Sequence, residues 1–219
     1  MTTPTQLLRA ALPHIHTHGF TCAALAEGQQ LSGTALGALF GPADGPERAL
    51  FEEWLTAGLE DMRLAEASTS KRAVLKASLV RRLEWNAPVL HHLPFAIKAW
   101  SSMPGAAVGS LKLPSAPSPR PVLHHALSVA DEALIVAGDE SRGPEWYARR
   151  AVVGAIYGLA ESHQLRSTSI HDRSAQSLLS RMLDEADRAR AAKEEAGIFA
   201  EYLWRSVAGI ARSTGAFVR

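Results

Sequence analysis

The chain has 219 residues, 47% hydrophobic and 21% charged, with 23 Lys and Arg against 22 Asp and Glu. This suits one medium helical domain, or a small domain fused to a larger one, and excludes wholesale disorder. A formal net charge of +1 gives no strong field for a polyanion, and the single cysteine, Cys22, excludes an internal disulfide and reads as a small buried hydrophobe.

Leu7, Leu8, Ala11, Leu12 and Ile15 share one helical stripe ended by Gly19, with a kink expected at Pro13. A short helix over 23–29, a turn at 31–33 and a third helix over 34–40 complete a helix-turn-helix pattern. After a breaker at 41–46, Leu50, Phe51, Trp54, Leu55, Leu59 and Met62 trace a longer helix, and another starts near Lys71. Pro88 and Pro94 interrupt its apolar continuation through Trp100. Residues 101–121 hold five prolines among Ser and Gly and read as a long loop, functional or disordered. Helices are expected again over 122–136 and 145–164, then an amphipathic, charge-mixed one over 174–193. Strand-like alternation persists nowhere, so the fold class is all-α. The units are 1–46 (helix-turn-helix), 47–193 (helical body) and 194–219 (C-terminal amphipathic helix).

That last segment repeats Ile198, Phe199, Tyr202, Leu203, Val207 and Ile210 at helical spacing, with Trp204 beside them and Arg205, Arg212 and Arg219 near. Aromatics with nearby arginines suit a helix lying in a membrane headgroup region, and Ile198, Phe199, Tyr202, Leu203, Trp204 and Val207 are its membrane-binding candidates. The same pattern would serve a helix docked on the body or swapped between two copies. No apolar run approaches the roughly 18 residues of a membrane span. The opening Met1-Thr2-Thr3-Pro4 reads as neither a signal nor a transit peptide.

Chemistry narrows the function further. A DNA-reading helix sets basic and polar side chains against phosphates and base edges, yet residues 21–47 contain no Lys or Arg. Nucleic acid is therefore not an expected partner, although a ligand-responsive repressor remains the alternative that the helix-turn-helix pattern alone would suggest. His14, His16 and His18 are spaced by two, and the pairs His91–His92 and His124–His125 are adjacent, so helical geometry points neighbouring rings apart. No metal site is expected, and no nucleophile–base arrangement or phosphate-binding glycine loop stands out, so no catalytic residue is assigned.

The run Gly138-Asp139-Glu140-Ser141, followed by Trp146-Tyr147-Ala148-Arg149-Arg150 and Ile156-Tyr157, resembles a signature of the ubiquinone (coenzyme Q) biosynthesis accessory lipid-binding family. The stretch 8–20 with its His18-Gly19-Phe20 step, residues 24–28, and the stretch 82–97 are similar to the family as well. Gly143 stands where the family usually has an acid, the 101–121 loop is expanded, and Ala133 and Leu134 replace a methionine and an aromatic.

The resemblance implies a TetR-like, often dimeric fold whose former effector pocket holds an isoprenoid quinone precursor or other lipid, with no further cofactor. It implies association with the demethoxyubiquinone hydroxylase on the matrix side of the mitochondrial inner membrane. Apolar candidates for such a pocket are Trp85, Leu90, Phe95, Ile97, Trp100, Leu127, Leu134, Val153, Ile156 and Tyr157, each of which could instead fill the core. Trp146, Tyr147, Arg149 and Arg150 are the partner-binding candidates. The local alternative has Trp146 capping the core and the arginines pairing with Asp139 or Glu145.

Overall fold

The computed structural model describes residues 3–29, 32–41, 45–65, 68, 70–102, 107–108, 111–112, 118–167, 169, 172–191 and 205. The six membrane-binding candidates, from Ile198 to Val207, lie outside these described residues.

The architecture is all-α. Helix α1 (Pro4–Ala11) starts with a reciprocal cap: Thr3 Oγ1 accepts from Gln6 N, while Gln6 Oε1 accepts from Thr3 N. Pro13 lies within a 3₁₀ turn (Leu12–His14), and helicity resumes in α2 (Ile15–His18), so the kink falls at the proline. Gly19 then turns the chain at φ 65°. Helices α3 (Cys22–Gln29) and α4 (Gly33–Phe40) follow, the second capped by Ser32 Oγ on Ala35 N.

The body comprises α5 (Gly45–Met62), α6 (Lys71–Asn86), α7 (Leu93–Ser101), α8 (Pro119–Val136), α9 (Pro144–Gln164) and α10 (Ser174–Ala191). The expected loop is shorter at its C-terminal end than 121, because α8 takes Pro119 and Pro121 into its first turn. The first N–H groups of a helix have no intrahelical acceptor, so proline loses nothing there. Within the loop, Ala107–Val108 (β1) pairs antiparallel with Leu111–Lys112 (β2), a two-residue ladder that no alternation in the sequence announces.

Two apolar clusters form the core. The first gathers Leu8, Ala11, Ile15, Phe20, Leu25 and Leu36 from the N-terminal helices around Leu50, Phe51 and Trp54 of α5, and continues into Leu90, Leu93 and Ala96. The second packs α6, α8, α9 and α10 through Leu79, Leu83, Val129, Leu134, Ile156, Tyr157, Leu179 and Met182. Helix α5 belongs to both, since Met62 at its far end enters the second cluster. Helices α8 and α9 approach closely where Gly154 faces Ala126, and a Cβ on that glycine would stand 3.2 Å from the Ala126 carbonyl oxygen. Among the described residues, no helix is long and apolar enough to cross a membrane.

Candidate functional site

Between the two clusters lies a narrow slot. Phe51, Trp54 and Leu55 of α5 form one wall, Leu93, Ile97 and Trp100 of α7 another, and Val122, His125 and Glu161 of α8 and α9 close the rest. The α5 residues share a face because they recur at three- and four-residue spacing. The rings of Phe51 and Trp54 lie nearly parallel, 18° apart with centroids 5.9 Å apart, and Trp100 meets Phe51 edge-on at 5.4 Å. Trp100 is anchored by its Nε1, which donates to Glu52 Oε1 at 3.1 Å. In this conformation the free volume is about 10 Å³, close to the minimum for one water, so a larger ligand requires the walls to part.

The slot ends on a buried polar cluster. Arg82, 0% exposed, donates from Nη1 to Asn86 Oδ1 at 2.5 Å. Asn86 Nδ2 donates to Glu161 Oε1 at 3.0 Å and Gln164 Oε1 at 3.2 Å, and the Tyr157 hydroxyl donates to Glu161 Oε1 at 2.7 Å. Gln164 is fixed in turn by donating to the Leu83 carbonyl at 2.8 Å. His125 Nε2 lies 3.5 Å from Arg82 Nη2 and 3.6 Å from Glu161 Oε1. The guanidinium also stands over the Trp54 ring, 4.9 Å from its centroid.

Burial would by itself raise the Glu161 carboxyl. It is outweighed by His125, through charge and hydrogen bonding, by the Arg82 charge and by the Tyr157 hydroxyl, so the group is held at about 2. Burial, aided by the adjacent Glu161 charge, pushes the Tyr157 phenol well above its ordinary value, so it stays a donor. The cluster thus holds an ionised carboxylate beside a guanidinium, with two buried donors near it, Arg82 Nε and Trp85 Nε1, unpartnered among the described residues.

The ten apolar pocket candidates divide by position. Ile97 and Trp100 line the slot, and Tyr157 serves its polar end. Trp85 is half-buried behind Trp54, their ring centroids 6.2 Å apart. Leu90 lies in the first apolar cluster, and Leu134, Val153 and Ile156 lie in the second. Phe95, 78% exposed, and Leu127, 37% exposed, are on the surface. The slot's other walls and the cluster of Arg82, Asn86, Glu161 and Gln164 were not singled out from sequence.

The Trp146–Arg150 group lies at the start of α9. Arg149 pairs with Asp139, and Arg150 pairs with Asp131 at 2.5 Å and Asp139 at 3.4 Å while covering the Trp146 ring at 3.8 Å. The arginines are therefore held locally by Asp139, and Tyr147 is left 71% exposed beside Trp146. Ser141 also donates to Asp139, whose carboxyl stays below its ordinary value despite burial. Beneath this group is an open cleft of about 310 Å³. Three ion pairs line it, Lys71–Glu140, Arg149–Asp139 and Arg190–Glu145, a polar surface unsuited to a lipid tail.

The histidines depart from the sequence expectation. The His91 and His92 rings lie against each other, tilted by 44° with centroids 3.8 Å apart, rather than pointing apart, because they occupy a turn where helical spacing does not apply. Burial, with the neighbouring His91 charge, holds His92 below its ordinary value. His14 and His18, four apart, both reach Glu27. Among the described residues, no group of three or more His, Cys, Asp or Glu is placed to hold a metal ion.

The segment carrying Val122, His125, the Trp146–Arg150 group and Glu161 is also the segment that a known family matches: residues 120–190 fit the COQ9 family model. Beyond it, the chain is 32% identical over 176 residues to the mitochondrial ubiquinone biosynthesis protein COQ9 of Bos taurus, covering 75% of this chain and 51% of that protein. The Homo sapiens COQ9 is 31% identical over the same shares. The coq9 protein of Schizosaccharomyces pombe is 26% identical over 216 residues, which are 95% of this chain and 80% of that protein. The chain spans about half the length of the mammalian COQ9 relatives it matches.

Proposed function

We propose that this chain acts in ubiquinone biosynthesis as a non-catalytic lipid-binding accessory protein. It takes an isoprenoid quinone precursor from a membrane and presents it to the demethoxyubiquinone hydroxylase, on the matrix side of the mitochondrial inner membrane. The observation that carries the reading is the position of the match to the COQ9 family model, which takes in three side chains of the slot and the Trp146–Tyr147 surface. The slot takes the ligand, Tyr147 anchors the enzyme, and the apolar stripe from Ile198 to Val207 meets the membrane. The fold is TetR-like and homodimeric in this proposal, but it does not read DNA, since α4 and its flanks from 21 to 47 offer no Lys or Arg to phosphate.

Burial of an alkyl chain contributes about 0.8 kcal/mol per methylene, so a few isoprene units suffice for stable binding. The test is native mass spectrometry of the purified protein, with extraction and identification of whatever it carries. A co-purified isoprenoid, quinone or phospholipid is the expected result. A protein that is repeatedly empty, and that binds neither prenylquinones nor liposomes, overturns the proposal.

A further inference from the structure

Helix α7, one wall of the slot, begins on a histidine seated against the N-terminal helices. His92 is the N-cap residue of α7, and Ala96 N donates to its carbonyl at 3.1 Å. The ring fills the notch left by Gly19, where a Cβ would stand 2.9 Å from His92 Nδ1. A backbone hydrogen bond joins the ring to His16 of α2, and the His91 ring centroid lies 3.8 Å from its own. Leu93, the next residue, shares the first apolar cluster with Ile15 and Phe20. The start of α7 is thus tied to the α2–α3 turn through His92.

This seat suits the neutral imidazole and offers nothing to the imidazolium. Both ring nitrogens carry hydrogen in the cation, and Nε2 is buried without a hydrogen-bond partner among the described residues. The cation would also face His91 and the positive end of the α7 dipole. Residues 4–18 and 93–101 carry Arg9, His14, His16, His18 and Lys98 but no acid. The carboxylates of the other neighbouring helices are engaged elsewhere. Glu27 of α3 is held by His14 and His18, and Glu84 of α6 accepts from Gln176. On α5, Glu47 accepts from Cys22 N, Glu52 from Arg48 and the Trp100 indole, and Glu53 from Arg9. Burial, then the His91 charge, lowers the His92 value, and the His16 bond offsets them only in part.

We infer that His92 is a proton-operated latch on the slot: its protonation frees the start of α7 from the Gly19 turn, and α7 swings away from α5. The inference rests on the reading of the slot as the ligand site and adds its regulation. Ile97 and Trp100 ride on α7 and face Phe51 and Trp54 of α5, so this movement parts the walls that otherwise enclose only about 10 Å³. A base whose value is lowered in its seat binds a proton more readily once released. The seated state is therefore favoured above 6.5 and loses ground as pH falls below it, by at most about tenfold per pH unit.

The test is amide hydrogen exchange of the full chain at about pH 7 and about pH 5, read by mass spectrometry and corrected for the intrinsic rate. Uptake of N-phenyl-1-naphthylamine, neutral at both values, is followed alongside by fluorescence. In the wild type, protection of residues 93–101 is expected to fall at least about threefold more than that of residues 153–160 in α9, with dye uptake rising in step. His92→Gln stays neutral and abolishes this drop. His91→Gln removes the neighbouring charge and shrinks the drop without abolishing it, because burial is the larger cause.

No drop in the wild type, a drop shared equally by α9, or one that persists in His92→Gln overturns the latch. Should His92→Gln fail to fold, His91→Gln decides, and an undiminished drop overturns the latch. If α7 loosens through His92 but the dye binds equally well at both pH values, α7 does not gate the slot and the inference falls. If α7 loosens through His92 and the dye binds at neither pH, the latch stands and the lipid-binding reading falls.

Discussion

Arg82→Met isolates what the guanidinium contributes to the buried cluster, in which it is linked to Glu161 through Asn86. Glu161 is held at about 2 instead of 4.5, and at about 1.4 kcal/mol per pH unit this amounts to roughly 3–4 kcal/mol of folding stability at neutral pH. Because the folded value lies below the unfolded one, that stability is present above 4.5 and is lost as pH falls toward 2. Removing Arg82 takes away a compensating charge and the donor to Asn86, and leaves the carboxylate to be neutralised by protonation. A loss of about 3–5 kcal/mol is expected, as for other broken buried pairs. For a chain of this length it appears as a melting temperature lower by roughly 6–20 °C.

The assay is urea unfolding followed by tryptophan fluorescence at pH 7 and pH 3, with Glu161→Gln and the double variant completing a cycle. The double variant recovers more than half of the Arg82→Met loss, because no buried charge is left alone. The gap between wild type and Arg82→Met narrows by roughly half at pH 3, where the Glu161 contribution is fading. A single-variant cost below about 1 kcal/mol, or strictly additive losses, would refute the reasoning.

Gly19→Ala forces a side chain onto a φ of 65° and sets its Cβ 2.9 Å from His92 Nδ1. A loss of about 1–3 kcal/mol is expected in thermal melts, and an unchanged midpoint would contradict the assigned turn. Tyr147→Ala should change stability by less than about 0.5 kcal/mol, given its exposure, yet weaken binding to purified demethoxyubiquinone hydroxylase at least about tenfold. Equal affinity in calorimetry would remove this surface from the proposal. Asp139→Asn should cost about 1–3 kcal/mol at pH 7, since a carboxylate with a 1% exposed side chain holds both Arg149 and Arg150. Its folded value is depressed, so the difference from wild type should disappear in acid melts below the ordinary carboxylate range, and a pH-independent difference would count against it.

The helices were legible because their apolar positions recur at helical spacing, and the proline at 13 and the glycine at 19 interrupt them where the chain turns. The proline-rich loop is shorter than its composition suggests, since composition alone does not separate a proline within a loop from one in the first turn of a helix. Apolar type likewise could not divide the pocket candidates: Phe95 and Ile97 are two residues apart on one helix, yet one faces solvent and the other the slot. A signal for the buried cluster was present and unused. Arg82 and Asn86, four apart, interrupt the apolar face of α6, and Tyr157, Glu161 and Gln164 recur at four- and three-residue spacing in α9. Polar side chains on a core-facing stripe need partners from another helix, and those partners cannot be named before the helices are placed. The contact of His91 with His92 escapes for a related reason, because it belongs to a turn whose geometry the residue types do not fix.

The two apolar clusters meet along α5, and the slot follows their boundary, walled by Phe51, Trp54 and Leu93 on one side and by residues of α8 and α9 on the other. Each wall of the slot is a helix that also packs one of the clusters, so widening the slot means moving helices past one another. The joint resembles a clasp between two finished pieces more than a cavity hollowed out of one. A guest seated there would replace contacts across the joint, and its departure would let the halves close on each other with no void left behind.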